Sequence, residues 1–294
     1  MQPIPRVVDL SHYQYDDRDG KFDWASVKSF GIWGVIWKAT ESTSYVDKTY
    51  DDARQQVQGA GGLLWGAYHF FRPGNVDAQV DHFLNIAKPD ENTLLVLDHE
   101  DDGCSIDDVK RWLRRCEDET GQRPCLYSGS VIKEQLGDRF DEYLAGCRLW
   151  MPQYGSSPDV PECWDSMWLW QYTDGDVGPS PHSVPGIGKC DINSYSLSRQ
   201  ALEQSWSTGM PPSVTAGLND TETLWLQASL NLLGASPALD TDGEIGPKTR
   251  DAVGTFQKSV GLEPTGLATK QTIDLMIEKI ADWNEERHYV EVTS

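Results

Sequence analysis

The sequence predicts an α/β fold: an irregular (β/α) barrel of about eight strands with few helices in its second half, joined to a small all-α three-helix domain. Three observations carry this. Short apolar runs recur along the first two-thirds of the chain, and the early ones alternate with segments of helical periodicity. Nearly every run ends in a polar or aromatic residue, namely Asp9, Lys38, Tyr68, Glu100, Tyr127, Tyr154, Gln171 and Asp191, as strands do where a barrel builds a site at one face. An uncharged stretch rich in Pro, Gly, Ser and Thr, residues 207–217, then reads as a linker to a compact helical unit.

Taken in order, Arg6-Val7-Val8-Asp9-Leu10-Ser11 is the first strand, and a helical stretch runs from Trp24 through Ser29. Gly31 to Lys38 is the second strand, Tyr50 to Gly59 a polar helix, and Leu63 to Phe71 the third strand, stopped by Arg72-Pro73-Gly74. Val76, Val80, Phe83, Leu84 and Ala87 mark an amphipathic helix. Leu94-Leu95-Val96-Leu97-Asp98-His99-Glu100 is a buried fourth strand, and Ile106 to Thr120 is a charged amphipathic helix closed by Gly121. Pro124–Ser128, Arg148–Tyr154, Met167–Tyr172 and Lys189–Asn193 complete the strands, with little helical pattern between them. The barrel domain is therefore assigned to residues 1–206 and the helical domain to 218–280. Within the latter, Leu224–Gly234, Lys248–Val260 and a segment ending at Ile280 are the helices, about 65 residues that can fold alone, and 281–294 is a polar tail.

A net charge of −21 argues against nucleic acid and anionic membranes as partners. No run approaches the ~20 apolar residues of a membrane span, so no membrane insertion is expected. The first residues lack the apolar core of a secretory signal, so synthesis in the cytoplasm is expected, with action elsewhere requiring release or dedicated export. The six cysteines show no CxxC or zinc-like spacing and read as free thiols, and a monomer without cofactor is expected. Asp240, Asp242 and Glu244 lack the EF-hand spacing and its distal Glu, so no metal is assigned to them.

The chemistry concentrates at Asp98-His99-Glu100. On a strand Asp98 and Glu100 face one way and His99 the other. Two neighbouring carboxylates repel, one pKa rises, and the protonated group can serve as a general acid. The same residues also read as a wet acidic turn capping a strand. Asp9 and Asp191 supply two further acids at strand ends, so four acids, Glu100, Asp98, Asp9 and Asp191, are candidates for the chemistry of that face.

The ordered set Asp9-Leu10-Ser11 with Gln14, Asp23-Trp24, Lys38-Ala39-Thr40-Glu41, Gly66-Ala67-Tyr68-His69-Phe70, Leu97-Asp98-His99-Glu100, Trp170-Gln171-Tyr172 and Asp191-Ile192-Asn193 resembles the Chalaropsis-type lysozymes, glycoside hydrolase family 25, across about residues 5–206. Ser42 departs from it, standing where the family usually has glycine. Leu226-Gln227, Leu230-Asn231, Asp242-Gly243, Gly246-Pro247-Lys248-Thr249, Phe256-Gln257 and Thr265-Gly266 resemble a three-helix peptidoglycan-binding domain. The resemblance implies hydrolysis of the β-1,4 bond between N-acetylmuramic acid and N-acetylglucosamine in bacterial wall peptidoglycan, as in phage endolysins. Glu100 is then the general acid, Asp98, Asp9 and Asp191 assist, and Tyr68, Tyr127, Lys38, Trp170, Gln171 and Tyr172 contact substrate. Nucleophilic, inverting and substrate-assisted routes all remain open from sequence. Two other classes are weighed: a metal-dependent hydrolase using Asp9, His12, Asp98, His99 and Asp191, and a catalytically inactive wall-binding protein.

Overall fold

The computed structural model describes residues 3–155, 157–164, 166–208, 220–262, 264, 266, 268 and 272–281. Two compact units divide the chain, residues 1–211 and 212–294. In chain order the strands of the first are β1 (Pro5–Leu10), β2 (Gly34–Glu41), β3 (Tyr45–Val46), β4 (Leu64–Phe70), β5 (Leu94–Asp98), β6 (Cys125–Tyr127), β7 (Leu149–Pro152), β8 (Leu169–Thr173), β9 (Ser183–Val184), β10 (Gly188–Lys189) and β11 (Asp191–Ser194). The barrel runs β1-β2-β4-β5-β6-β7-β8-β11 and closes because β1 pairs with both β2 and β11. β3 lies on the edge of β2, and β9 with β10 forms a separate hairpin. All pairs from β1 round to β8 are parallel, whereas β11 is antiparallel to both neighbours.

The helices of this unit are α1 (His12–Asp17), α2 (Trp24–Phe30), α3 (Tyr50–Ala60), α4 (Val76–Ala87), α5 (Ile106–Thr120), α6 (Ser130–Leu136), α7 (Glu142–Ala145) and α8 (Arg199–Thr208). α4 and α5 occupy the residues their periodicity predicts. Asn75 caps the first, and a Ser105/Asp108 capping box opens the second. α1 is not legible from periodicity because it buries no residue. What starts it is a capping box between Ser11 and Gln14. Beyond α5 the crossovers shrink to α6 and α7, and no helix separates β7 from β8 among the described residues. α8 extends to Thr208, two residues into the stretch assigned to the linker; residues 209–217 of that stretch lie outside the described residues.

Alternation along each strand sorts the core into two shells. Val8, Leu10, Val35, Trp37, Leu95, Leu97, Leu126 and Met151 face outward beneath the helices. Val7, Ile36, Leu94, Val96, Cys125, Trp150 and Leu169 point into the barrel. Each inward row continues upward to a polar or ring residue at the C-terminal end: Asp9, Lys38, Tyr68, Asp98, Tyr127 and Gln171. β11 runs the other way, so Asp191, the first residue of its strand, lies at that same end opposite Asp9. All six cysteines are buried free thiols.

The other end is stoppered by α8. Trp206 is wholly buried; its indole donates to the Trp65 carbonyl at 2.8 Å, and the Trp168 indole donates to Ser205 Oγ at 2.9 Å. Arg148, also buried, caps α8 by donating to the Ser205 carbonyl at 2.6 Å and reaches the Arg123 carbonyl at 2.8 Å. The absence of a side chain at Gly34 makes room for this plug, since a Cβ there would stand 2.8 Å from Trp206 Cη2.

Ser42 adopts φ +53°, the left-handed region that favours glycine, which gives its departure from the family pattern a physical meaning. It follows β2 directly and donates its N–H to the Phe70 carbonyl at 3.2 Å.

The second unit holds α9 (Asp220–Leu232), α10 (Pro247–Ser259) and α11 (272–281). α9 begins four residues before the expected Leu224. Leu226, Leu230, Leu239, Val253, Phe256, Ala268 and Met276 form its core. Three amides beside that core tie its loops. Gln227 donates to Asp242 Oδ1 and the Glu244 carbonyl and accepts from the Gly243 N–H; Asn231 clamps Leu239 through both backbone groups; Gln257 accepts from the Gly266 N–H. The motif residues of this unit are thus the pegs that hold its connections. Thr265 and the expected tail beyond residue 281 lie outside the described residues.

Because Trp206 is packed on every side, Gly34→Ala is expected to destabilise the barrel unit by about 1–3 kcal/mol, read as a lower chemical-denaturation midpoint; an unchanged midpoint would show that the plug does not need that gap.

Candidate active site

A cleft of about 450 Å³ opens over the C-terminal ends of the parallel strands. Eight of the residues predicted to act there line it: Asp9 from β1, Lys38 from β2, Tyr68 from β4, Asp98 and Glu100 at the end of β5, Tyr127 from β6, Gln171 from β8 and Asp191 from β11. Trp170 and Tyr172 do not. They flank Gln171 on β8 and therefore face outward into the helix-covered shell, where the Trp170 indole donates to the Gln153 carbonyl and the Tyr172 hydroxyl to the Pro181 carbonyl. The expectation that these two rings contact substrate is corrected by the parity of their strand. Trp150 and Tyr154 supply the rings on that side of the cleft instead. Once Gln171 is placed inside, alternation alone excludes both its neighbours.

Asp9 is the best-held carboxylate. Asn193 Nδ2 donates to its Oδ1 at 2.7 Å, and Gln171 Nε2 donates to both oxygens at 3.1–3.2 Å. Gln171 is oriented in turn by accepting from the Tyr127 hydroxyl at 2.9 Å and the Tyr154 hydroxyl at 2.8 Å, and Asn193 by accepting from the Trp150 indole at 2.6 Å. Burial raises the pKa of Asp9 to about 6, with the amide donors and Asp191 pulling the other way. Asp191 hydrogen-bonds Asp9 and is pushed to about 9 by burial first and then by the charge of Asp9. The pair shares one proton, and Asp191 keeps it.

Asp98 sits deeper on β5. It is buried, its Oδ1 has no hydrogen-bond partner, and burial, then the charge of Glu100, holds its pKa well above the usual range. Glu100 follows the strand and is exposed to the cleft. Its pKa is raised by displacement of water by the cleft walls, then by Asp9, against the opposing charge of Lys38. The two carboxyls repel one another, and both are raised. His99 points away, donating its backbone N–H to the Tyr127 carbonyl and facing Gln135 of α6 at 3.0 Å.

Lys38 is paired with Glu41 at 2.7 Å, and Arg72 bridges Glu41 and Asp101 at 2.9 and 3.1 Å, so both cations at this rim are already engaged. His69 packs on Trp112 in the outer shell and bonds Thr40 and Gln79, a satisfied core histidine. His12 faces Asp47 at 3.0 Å. With His12 and His99 both turned to other partners, the histidines of the metal-hydrolase reading are not brought to the acids, and no group of three or more His, Cys, Asp or Glu among the described residues is placed to hold a metal ion.

Comparison with known proteins gives a consistent assignment. Residues 8–180 match the family described as glycosyl hydrolases family 25, and residues 219–276 match the putative peptidoglycan binding domain. The autolytic lysozyme of Clostridium acetobutylicum is 29% identical over 251 residues, covering 83% of this chain and 71% of its own length. The N,O-diacetylmuramidase of a Chalaropsis species is 28% identical over 187 residues, covering 56% of this chain and 86% of its own. Among solved structures, the bacterial lysozyme from Streptomyces coelicolor superposes with a TM-score of 0.59 at 27% identity, covering 69% of this chain and 97% of that one.

The raised pKa of Asp98 has a consequence for stability. A carboxyl that binds its proton more tightly in the folded state contributes fully below its unfolded pKa, and that contribution is lost as pH rises toward the folded value. Asp98→Asn is therefore expected to stabilise the barrel unit at pH 8 by on the order of 1 kcal/mol and to have little effect near pH 4. Denaturation midpoints across that range check it; a gain of equal size at both ends would assign the effect to packing and not to charge.

Proposed function

The chain belongs to glycosyl hydrolase family 25, and from that membership and the geometry of the cleft we propose that it cleaves the β-1,4 bond between N-acetylmuramic acid and N-acetylglucosamine in peptidoglycan, with Glu100 as general acid. The observation that carries this is the meeting of Asp9, Asp98, Glu100 and Asp191, from three strands, around one open cleft. The match of residues 219–276 to a peptidoglycan-binding domain supports the same substrate, and the wall is then the site of action.

Of the four acids, Glu100 is the one exposed to the cleft, and no hydrogen bond holds its carboxyl among the described residues. Its upward pKa shift keeps the acid form available at higher pH than an ordinary glutamate does. Glu100 gives its proton to the glycosidic oxygen as the bond from the muramoyl C1 breaks. The positive charge that develops on the sugar lies over Asp9, the acid whose ionised form the Gln171 and Asn193 amides favour.

The unpartnered Oδ1 of Asp98 supports a substrate-assisted route. It accepts the N–H of the muramoyl acetamido group and turns that group's carbonyl oxygen toward C1. The oxygen bonds C1 as the leaving group departs, and water activated by the now anionic Glu100 opens the ring on the same face. Net configuration at C1 is retained.

Purified peptidoglycan should release fragments with muramic acid at the reducing end, identified by mass spectrometry after borohydride reduction, and proton NMR of early product should show the β-anomer. Glu100→Gln should lower turnover about a hundredfold or more while wall sedimentation of the protein persists. Reducing-end glucosamine or free stem peptides would overturn the bond assignment, an α-anomer the assisted route, and a Glu100→Gln loss under about tenfold the role of Glu100.

A further inference from the structure

A second cavity, of about 380 Å³, shares Glu100 and Tyr154 with the catalytic cleft and extends it along the ends of β6 and β7. Gly129, Ser130 and Val131 at the start of α6 form one wall, Pro152 and Gln153 the other, with Lys133 across it. Its composition differs from that of the main cleft. There the cations Lys38 and Arg72 are consumed by Glu41 and Asp101, and Asp9 and Asp174 leave the lining negative. Here Glu100 is the one acid in the lining and Lys133 the one cation.

Lys133 is loosely committed. Its ammonium lies 3.2 Å from Gln153 Oε1 and 3.4 Å from Asp159 Oδ2, and the Asp159 side chain is 85% exposed. An ion pair with so exposed a partner contributes little, so exchanging Asp159 for a carboxylate brought by a ligand into the cavity is nearly free of cost. A polymer bearing carboxylates, entering a cleft of acids on a chain of net charge −21, needs such a cation where its acidic arms lie.

We propose that the cavity bounded by Glu100, Gly129, Lys133, Pro152, Gln153 and Tyr154 receives the leaving-group side of the glycan, and that Lys133 there pairs with a carboxylate carried on the lactyl arm of the next muramoyl residue. This rests on Glu100 being the general acid, because the sugar whose oxygen takes the proton lies on the Glu100 side of the broken bond. The muramoyl residue one sugar further on bears the lactyl arm, whose carboxyl is free in peptide-free glycan and carries the stem peptide, with its own carboxylates, in intact wall. Lys133 is then a specificity-determining residue for the leaving side, and the glycan spans both cavities with Glu100 between them.

The test uses the full chain and peptide-free oligomers of alternating N-acetylglucosamine and N-acetylmuramic acid, as free acids and as lactyl methyl esters. The wild type is expected to prefer the acid by about three- to tenfold in kcat/KM, the size of one partly screened ion pair, and the preference should shrink at high salt. Lys133→Met should bring the acid-to-ester ratio near one, mainly through KM, and Lys133→Arg should restore it. Oligomers bearing stem peptides with free or amidated carboxylates, assayed in parallel, tell which carboxylate reaches the ammonium; preference in either series supports the pairing. No preference in either series, or one that survives Lys133→Met, overturns it. Failure of the wild type to cut any of these oligomers would instead strike the muramidase reading itself.

Discussion

The site depends on how the barrel closes. Seven strands run parallel, and an all-parallel eighth would present the last residue of its strand at the catalytic end. β11 is inserted in the opposite direction between β8 and β1, so its first residue, Asp191, lands beside Asp9 in direct register. Asn193, two residues on and on the same face, reaches the same Asp9 carboxylate that Gln171 reaches from β8. One reversed strand of four residues thus supplies both the partner that raises the charge density of the site and the amide that makes it tolerable.

That density conflicts with stability. Buried carboxylates are costly in the charged form, and here burial is the largest influence on the pKa of each of the four acids. The barrel meets the cost unevenly. Asp9 receives amide donors, Asp191 keeps a shared proton, and Asp98 is left without a partner for Oδ1. Such unevenness separates the roles of chemically similar side chains, because the group with donors favours its anion and the groups without them favour the acid. Rings of the cleft wall orient Gln171 and Asn193, and support from beyond the cleft comes from a full apolar shell beneath the helices and from the α8 plug at the far end.

Much of this was legible in the sequence, for identifiable reasons. The parallel strands announce themselves as apolar runs because both their faces are buried, and α4 and α5 do so because one stripe of each packs on the sheet. The four acids could be picked out because charged residues at the ends of such runs are unusual. Alternation that sets Asp98 and Glu100 apart from His99 separates Gln171 from Trp170 and Tyr172 on β8 in the same way. The direction of β11 was not readable, since a four-residue strand carries no sign of its orientation. Nor were Arg72 and Glu41, whose place at the rim depends on a long-range pairing between residues 31 apart, or Trp150, which sits inside an apolar run; Tyr154 was legible as one of the rings that end such runs. α1 escaped because a capping box, and not a hydrophobic face, specifies it.

The central claim is that the cleft holds protons at neutral pH on side chains that in water would have lost them. Carboxyl carbon NMR of the free protein, with aspartate and glutamate labelled and the signals assigned by Asn or Gln replacement, reads this directly. The structure predicts that Asp191 keeps its proton through pH 7, that Asp9 titrates near pH 6, and that Asp98 and Glu100 both titrate above the ordinary carboxyl range. Four carboxyls titrating together near pH 4 would contradict it.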